Sequence, residues 1–96
     1  MDKHEILDYL HRHKQEFETN FDITNIALFG SYATGKQHLN SDIDLVVDMK
    51  TNNYFKLIEF ENFLHEKLQR KVDVGFLDSM KSFIKNAIED DLIYVK

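Results

Sequence analysis

Hydrophobic and polar residues recur along this chain with two different periods, and the switches between them outline the elements. Residues 3–18 place Ile6, Leu7, Leu10 and Phe17 near helical spacing with charged residues between them, which predicts an amphipathic helix. Asn20 to Thr24 is polar and reads as a turn. Ile26-Ala27-Leu28-Phe29 is a continuous apolar run that stops at Gly30, the pattern of a short buried strand. Ser31 to Lys36 reads as a short helix or turn, and Lys36 to Asn40 as a polar loop. Asp42 to Asp48 predicts a second strand. Residues 53–69 predict a second long helix, with Leu57, Phe60, Leu64 and Leu68 on one face and Phe55, Ile58 and Phe63 around the rest. From Lys71 to Leu77, Val72, Val74 and Phe76 alternate with Asp73 and Gly75, which predicts a third strand. A cap at Asp78 or Ser79 is expected to open a last helix through about Asp90, carrying Met80, Phe83, Ile84, Ala87 and Ile88. Leu92-Ile93-Tyr94-Val95 then reads as a short extended piece. This order predicts an α/β (α+β) domain, a small mixed sheet of about three strands flanked by helices.

Composition narrows the picture. A chain of 96 residues is expected to form one domain, residues 1–96, with a modest core. Without cysteine there is no disulfide framework and no thiolate zinc site. Twelve Lys and Arg against 17 Asp and Glu leave a formal charge of −5, a poor balance for gripping a nucleic-acid backbone. That charge suits carboxylates that bind metal ions, or a basic partner. No apolar run approaches the roughly 18 residues of a membrane span, and the charged start does not read as a secretory leader. A cytoplasmic protein with no membrane association is expected.

Three places carry candidate chemistry. Gly30-Ser31 directly follows a predicted strand: a glycine lets the backbone turn sharply and a ligand approach closely, and a helix start offers free N–H groups to a phosphate. Such pairs are commonly plain turns, so this pair carries little weight by itself. In Asp42-Ile43-Asp44 the two carboxylates fall on one face of a strand, about 6–7 Å apart, with Ile43, Leu45 and Val47 facing the core. Paired carboxylates on a rigid element suit Mg²⁺, although a lone D-x-D is commonly a solvated strand end. Asp73, between two core-facing valines, joins the same face if the strands lie in register. A third carboxylate meets the usual requirement for two metal ions, one on triphosphate oxygens and one on the attacking hydroxyl. The five histidines are too scattered for a zinc site and read as solvent-exposed.

Taken together, Gly30-Ser31-Tyr32-Ala33-Thr34-Gly35, Ser41-Asp42-Ile43-Asp44-Leu45 and Asp73 resemble the motif of the polymerase-β-type nucleotidyltransferases. More narrowly, the chain resembles the minimal nucleotidyltransferases, MntA-like antitoxins paired with HEPN-domain toxins. The resemblance spans nearly the whole chain. It implies that Asp42, Asp44 and Asp73 are catalytic and bind two Mg²⁺, and that Gly30, Ser31, Ser41 and Lys36 contact the nucleotide phosphates. It implies ATP as substrate, AMP transfer to a tyrosine of a cognate HEPN toxin, and a hetero-oligomer with that toxin. The chain departs from the family at Thr34, where an arginine is frequent, and Lys36 is the nearby cation that would replace it. Two other readings follow from the same residues: an antitoxin acting by binding alone, and a nucleotidyltransferase acting on a small-molecule acceptor.

Overall fold

The computed structural model describes residues 1–80, 86 and 89–96. Its elements are α1 (Lys3–Arg12), α2 (Lys14–Phe21), β1 (Ile23–Phe29), α3 (Ser31–Thr34), β2 (Ile43–Met49), α4 (Tyr54–Leu68), β3 (Val72–Phe76) and β4 (Ile93–Tyr94). The mixed sheet has four strands in the order β3-β2-β1-β4, one more than the sequence pattern predicts. β1 runs antiparallel to β2 and to β4, whereas β2 and β3 are parallel. A parallel pair needs a long crossover, and α4 supplies it. β4 is the extended tail read from the sequence; its two residues pair with Ala27 and Leu28.

One face of the sheet holds the core. Ile26, Leu28, Ile43, Leu45, Val47 and Val72 pack with Ile6 and Leu10 of α1, Phe17 of α2, and Phe60 and Leu64 of α4. Phe17 meets Phe60 edge to face at 5.0 Å between ring centroids, and Phe21 sits 5.3 Å from Phe60 and 5.5 Å from Phe63. This aromatic cluster joins α2 to α4 through the geometry that ring quadrupoles favour. Leu57, Phe60, Leu64 and Leu68 are the buried residues of α4, as the periodicity predicts, while Phe55 is 80% exposed.

Two ends differ from the expectation. The first helix is not continuous through residue 18: His13 takes φ −105°, ψ 9° between α1 and α2, and α2 continues to Phe21. No proline or glycine marks this break; the interactions found there are tertiary, with the Lys14 ammonium donating to the Val95 carbonyl at 3.2 Å and the Tyr9 ring 4.5 Å from that of His13. β1 also begins earlier than the apolar run, at Ile23. An irregularity between Ile23 and Asn25 resets the pairing, so that Ile23 is buried despite the polar Thr24 and Asn25 beside it. The preceding turn closes on Asp22 in the left-handed region, φ 59°, with its carboxylate 2.6 Å from the Lys56 ammonium.

The helix expected from Asp78 or Ser79 does not start there. Leu77–Ser79 forms a 3₁₀ turn and Met80 is extended at φ −72°, ψ 128°. Phe83, Ile84, Ala87 and Ile88, assigned to that helix, lie outside the described residues.

Candidate active site

Three strand ends meet on one edge of the sheet. β1 ends at Phe29, opposite Asp44 of β2, and Asp44 stands opposite Asp73 of β3. Because β2 and β3 are parallel, the second residue of each falls at the same level, on neighbouring strands about 4.8 Å apart. Both side chains lie on the face opposite Ile43, Leu45 and Val72, which are buried. Asp42 is not on the strand as expected, since β2 begins at Ile43. The Ile43 N–H donates to the Lys71 carbonyl at 2.9 Å, which sets Asp42 beside Lys71 at the entrance of the parallel pair.

Gly30 connects β1 to α3 and shapes the site directly. Its φ of 77° and ψ of −157° belong to a region that side chains rarely tolerate. A Cβ built at this position would overlap Asp44 Oδ2 and stand 3.2 Å from Asp44 Cγ. The missing side chain is therefore the space that the Asp44 carboxylate occupies. Beyond Gly30, the Ala33 and Thr34 N–H groups donate to the Gly30 carbonyl at 3.1 and 3.2 Å. The N–H groups of Ser31 and Tyr32, first in the helix, have no intrahelical acceptor. Tyr32 and Ala33 are buried and anchor the turn to the core.

Asp44 is the strained member electrostatically. Burial pushes its carboxyl above the ordinary range, the negative charges of Asp73 and Asp42 push it further, and Lys71 pulls it back. No hydrogen bond to the Asp44 carboxylate is found among the described residues. The Asp42 side chain is 36% exposed, with Oδ2 3.6 Å from the Lys71 ammonium. Asp73 is exposed.

These residues fit a divalent cation in two respects. Negative charge is crowded on Asp44, offset only in part by Lys71 and met by no hydrogen-bond donor among the described residues, and the Gly30 gap keeps one of its oxygens clear of side-chain atoms from the turn. Among the described residues, no three His, Cys, Asp or Glu groups already close around a point as a metal cage would. Mg²⁺ does not demand such a cage, because it keeps waters and uses one or two carboxylates together with substrate phosphates.

The remaining sequence candidates divide. Ser31 begins α3 next to Gly30, in the cluster. Ser41 holds its own loop: its hydroxyl accepts from the His38 N–H at 2.9 Å, and its N–H donates to the His38 carbonyl at 3.0 Å. Lys36 is exposed, its N–H donating to the Ser31 carbonyl at 2.9 Å. Thr34 turns its hydroxyl back to the Gly30 and Ser31 carbonyls, 3.3 Å from each, so it braces the turn. Two residues were missed. Lys71 was legible, because it lies two before Asp73 and so shares its side of the strand. Glu61, whose carboxylate accepts the Val74 N–H at 2.8 Å and so fixes the edge of β3, is one acidic residue among several on α4 and carries no sequence signal.

Residues 10–95 match the nucleotidyltransferase domain family. The chain is 41% identical over 93 residues to a Methanocaldococcus jannaschii protein provisionally named a protein adenylyltransferase, covering 95% of each. It is 35% identical over 92 residues to the protein adenylyltransferase MntA of Thermococcus cleftensis, covering 95% of this chain and 93% of the relative. A chain in the crystal structure of a toxin-antitoxin with AMP-PNP superposes with a TM-score of 0.73 at 26% identity, over 90% of this chain and 72% of that one. With this arrangement of strand ends, glycine turn and carboxylates, the chain belongs to the nucleotidyltransferase domain family, among its minimal, MntA-like members.

Proposed function

We propose that this protein transfers AMP from ATP to a hydroxyl, a tyrosine of a cognate HEPN-domain toxin, and thereby acts as its antitoxin. The observation that carries the reading is the placement of Asp44 between Asp42 and Asp73 and against Gly30, with its charge unrelieved by any donor among the described residues. The names of the adenylyltransferase relatives and the toxin-antitoxin with AMP-PNP support it.

In this reading Asp42, Asp44 and Asp73 hold Mg²⁺, which when bound neutralises phosphate oxygens and lowers the pKa of the attacking hydroxyl. Gly30 and the free N–H groups of Ser31 and Tyr32 receive the triphosphate tail, and Lys36 adds a cation at the rim. The acceptor oxygen forms a bond to the α-phosphorus while the bond to the bridging oxygen of the β-phosphate breaks, so pyrophosphate leaves. Exposed Asp73 takes the proton from the acceptor hydroxyl. Asp42 and Asp44 are anchored by a β-strand and by its first backbone hydrogen bond, so their orientation is set before substrate arrives.

Mass spectrometry of the co-encoded toxin after incubation with this protein, ATP and Mg²⁺ tests the reading. A nucleotide adduct on a toxin tyrosine is expected. A stable complex with unmodified toxin would replace it with neutralisation by binding alone.

A further inference from the structure

We infer that Lys71 is the resident counter-ion of the acidic site, and that its ammonium passes from Asp42 to the triphosphate when metal and nucleotide enter together. The inference rests on the proposed nucleotidyl transfer. The Lys71 ammonium lies 3.6 Å from Asp42 Oδ2, and among the described residues this is the one ion pair made by Asp42, Asp44 or Asp73. The placement is built into the sheet. The Ile43 N–H donates to the Lys71 carbonyl at 2.9 Å, fixing the two segments side by side, and strand periodicity puts Lys71 on the side of Asp73.

The pair is placed but loosely held. The Lys71 side chain is 66% exposed and sits with Asn40, Ser41, Asp42 and Arg70 around an open cleft of about 310 Å³. The ammonium can swing within that cleft without disturbing the buried residues beneath. A divalent ion arriving alone must compete with Lys71 for Asp42 and meets its positive charge. An ion arriving with a triphosphate brings negative charge for the displaced ammonium. The site therefore disfavours the free metal ion relative to the metal–nucleotide complex.

The test is Mn²⁺ binding, followed by electron paramagnetic resonance with and without AMP-PNP, in wild type, Lys71→Met and Lys71→Arg. Melting in EDTA checks that each variant is folded. Lys71→Met is expected to bind Mn²⁺ alone about fivefold more tightly, the upper range for releasing an exposed ion pair. The gain in Mn²⁺ affinity on adding AMP-PNP should shrink by a similar factor, and Lys71→Arg should keep the wild-type coupling. Unchanged Mn²⁺ affinity and unchanged coupling in Lys71→Met would overturn the inference while leaving nucleotidyl transfer standing. Wild type that binds no Mn²⁺ even with AMP-PNP would overturn both.

Discussion

Replacing Asp44 by Asn should stabilise the metal-free protein. Asp44 stands opposite Asp73 across the parallel pair, with Asp42 two residues before it, and the partial burial of Asp44 withholds some of the solvent that would screen its own charge. Like charges facing each other across strands cost about 0.2–1 kcal/mol a pair. That cross-strand pair and the same-segment charge of Asp42, with Lys71 offsetting part, make the net about 1 kcal/mol, which for a domain of this size raises Tm by about 4–8 °C. The pH dependence fixes the sign. Asp44's carboxyl is raised in the folded state, so the native protein keeps a proton that the unfolded chain releases. Wild type therefore loses stability as pH climbs from the ordinary carboxylate range, about 4, through the raised value. The Asp44→Asn advantage should be absent in acid and full at neutral pH. Metal should reverse the order: at a hundred times its Kd, Mn²⁺ would stabilise wild type by about 2.7 kcal/mol and the variant by much less. Calorimetric melts in EDTA and in Mn²⁺, from pH 3 to 8, read all of this. An Asp44→Asn variant that melts below wild type in EDTA at neutral pH would refute the claim that burial and the neighbouring carboxylates together destabilise the ionised Asp44 side chain.

Three other outcomes follow from the same structure. Gly30→Ala should destabilise by about 1–3 kcal/mol from backbone strain alone, and should weaken Mn²⁺ binding because the new methyl displaces the Asp44 carboxylate; thermal melts and metal titration check both. Phe60→Ala should cost about 3–5 kcal/mol in urea unfolding, since it opens a cavity at the joint of α2 and α4. Lys56→Met should blunt acid denaturation: the Lys56 hydrogen bond, chiefly, lowers the Asp22 carboxyl, so that stabilisation exists above about pH 4 and disappears as pH falls through the lowered value.

Most of the fold was legible because its elements have clean periods. The α4 stripe identified that helix's buried residues, the alternation in Val72 to Phe76 marked buried Val72 together with Val74 and Phe76, which are only half-buried, and D-I-D at a strand start marked Asp44. What escaped depends on contacts between distant residues. The break at His13 carries no local breaker, and β1 begins at Ile23 only because an irregular pairing with β2 brings that residue inward. The fourth strand is two residues long and exists through its pairing with β1. Parallel pairing of β2 and β3 brings Asp44 level with Asp73, whereas the sequence offered this only as a condition. The overlap between a Gly30 side chain and Asp44 joins positions 14 residues apart, and no pattern in the sequence announces it.

The central claim is that the carboxylates at this sheet edge perform nucleotidyl transfer. The most direct test combines the purified protein, its co-encoded partner, Mg²⁺ and ATP labelled at the α-phosphate, with wild type beside the Asp42→Asn/Asp44→Asn double variant. The account predicts label on the partner with wild type and none with the folded double variant. Equal labelling by both would contradict the assignment of the site, and no label from either, with the complex intact, would contradict transfer itself.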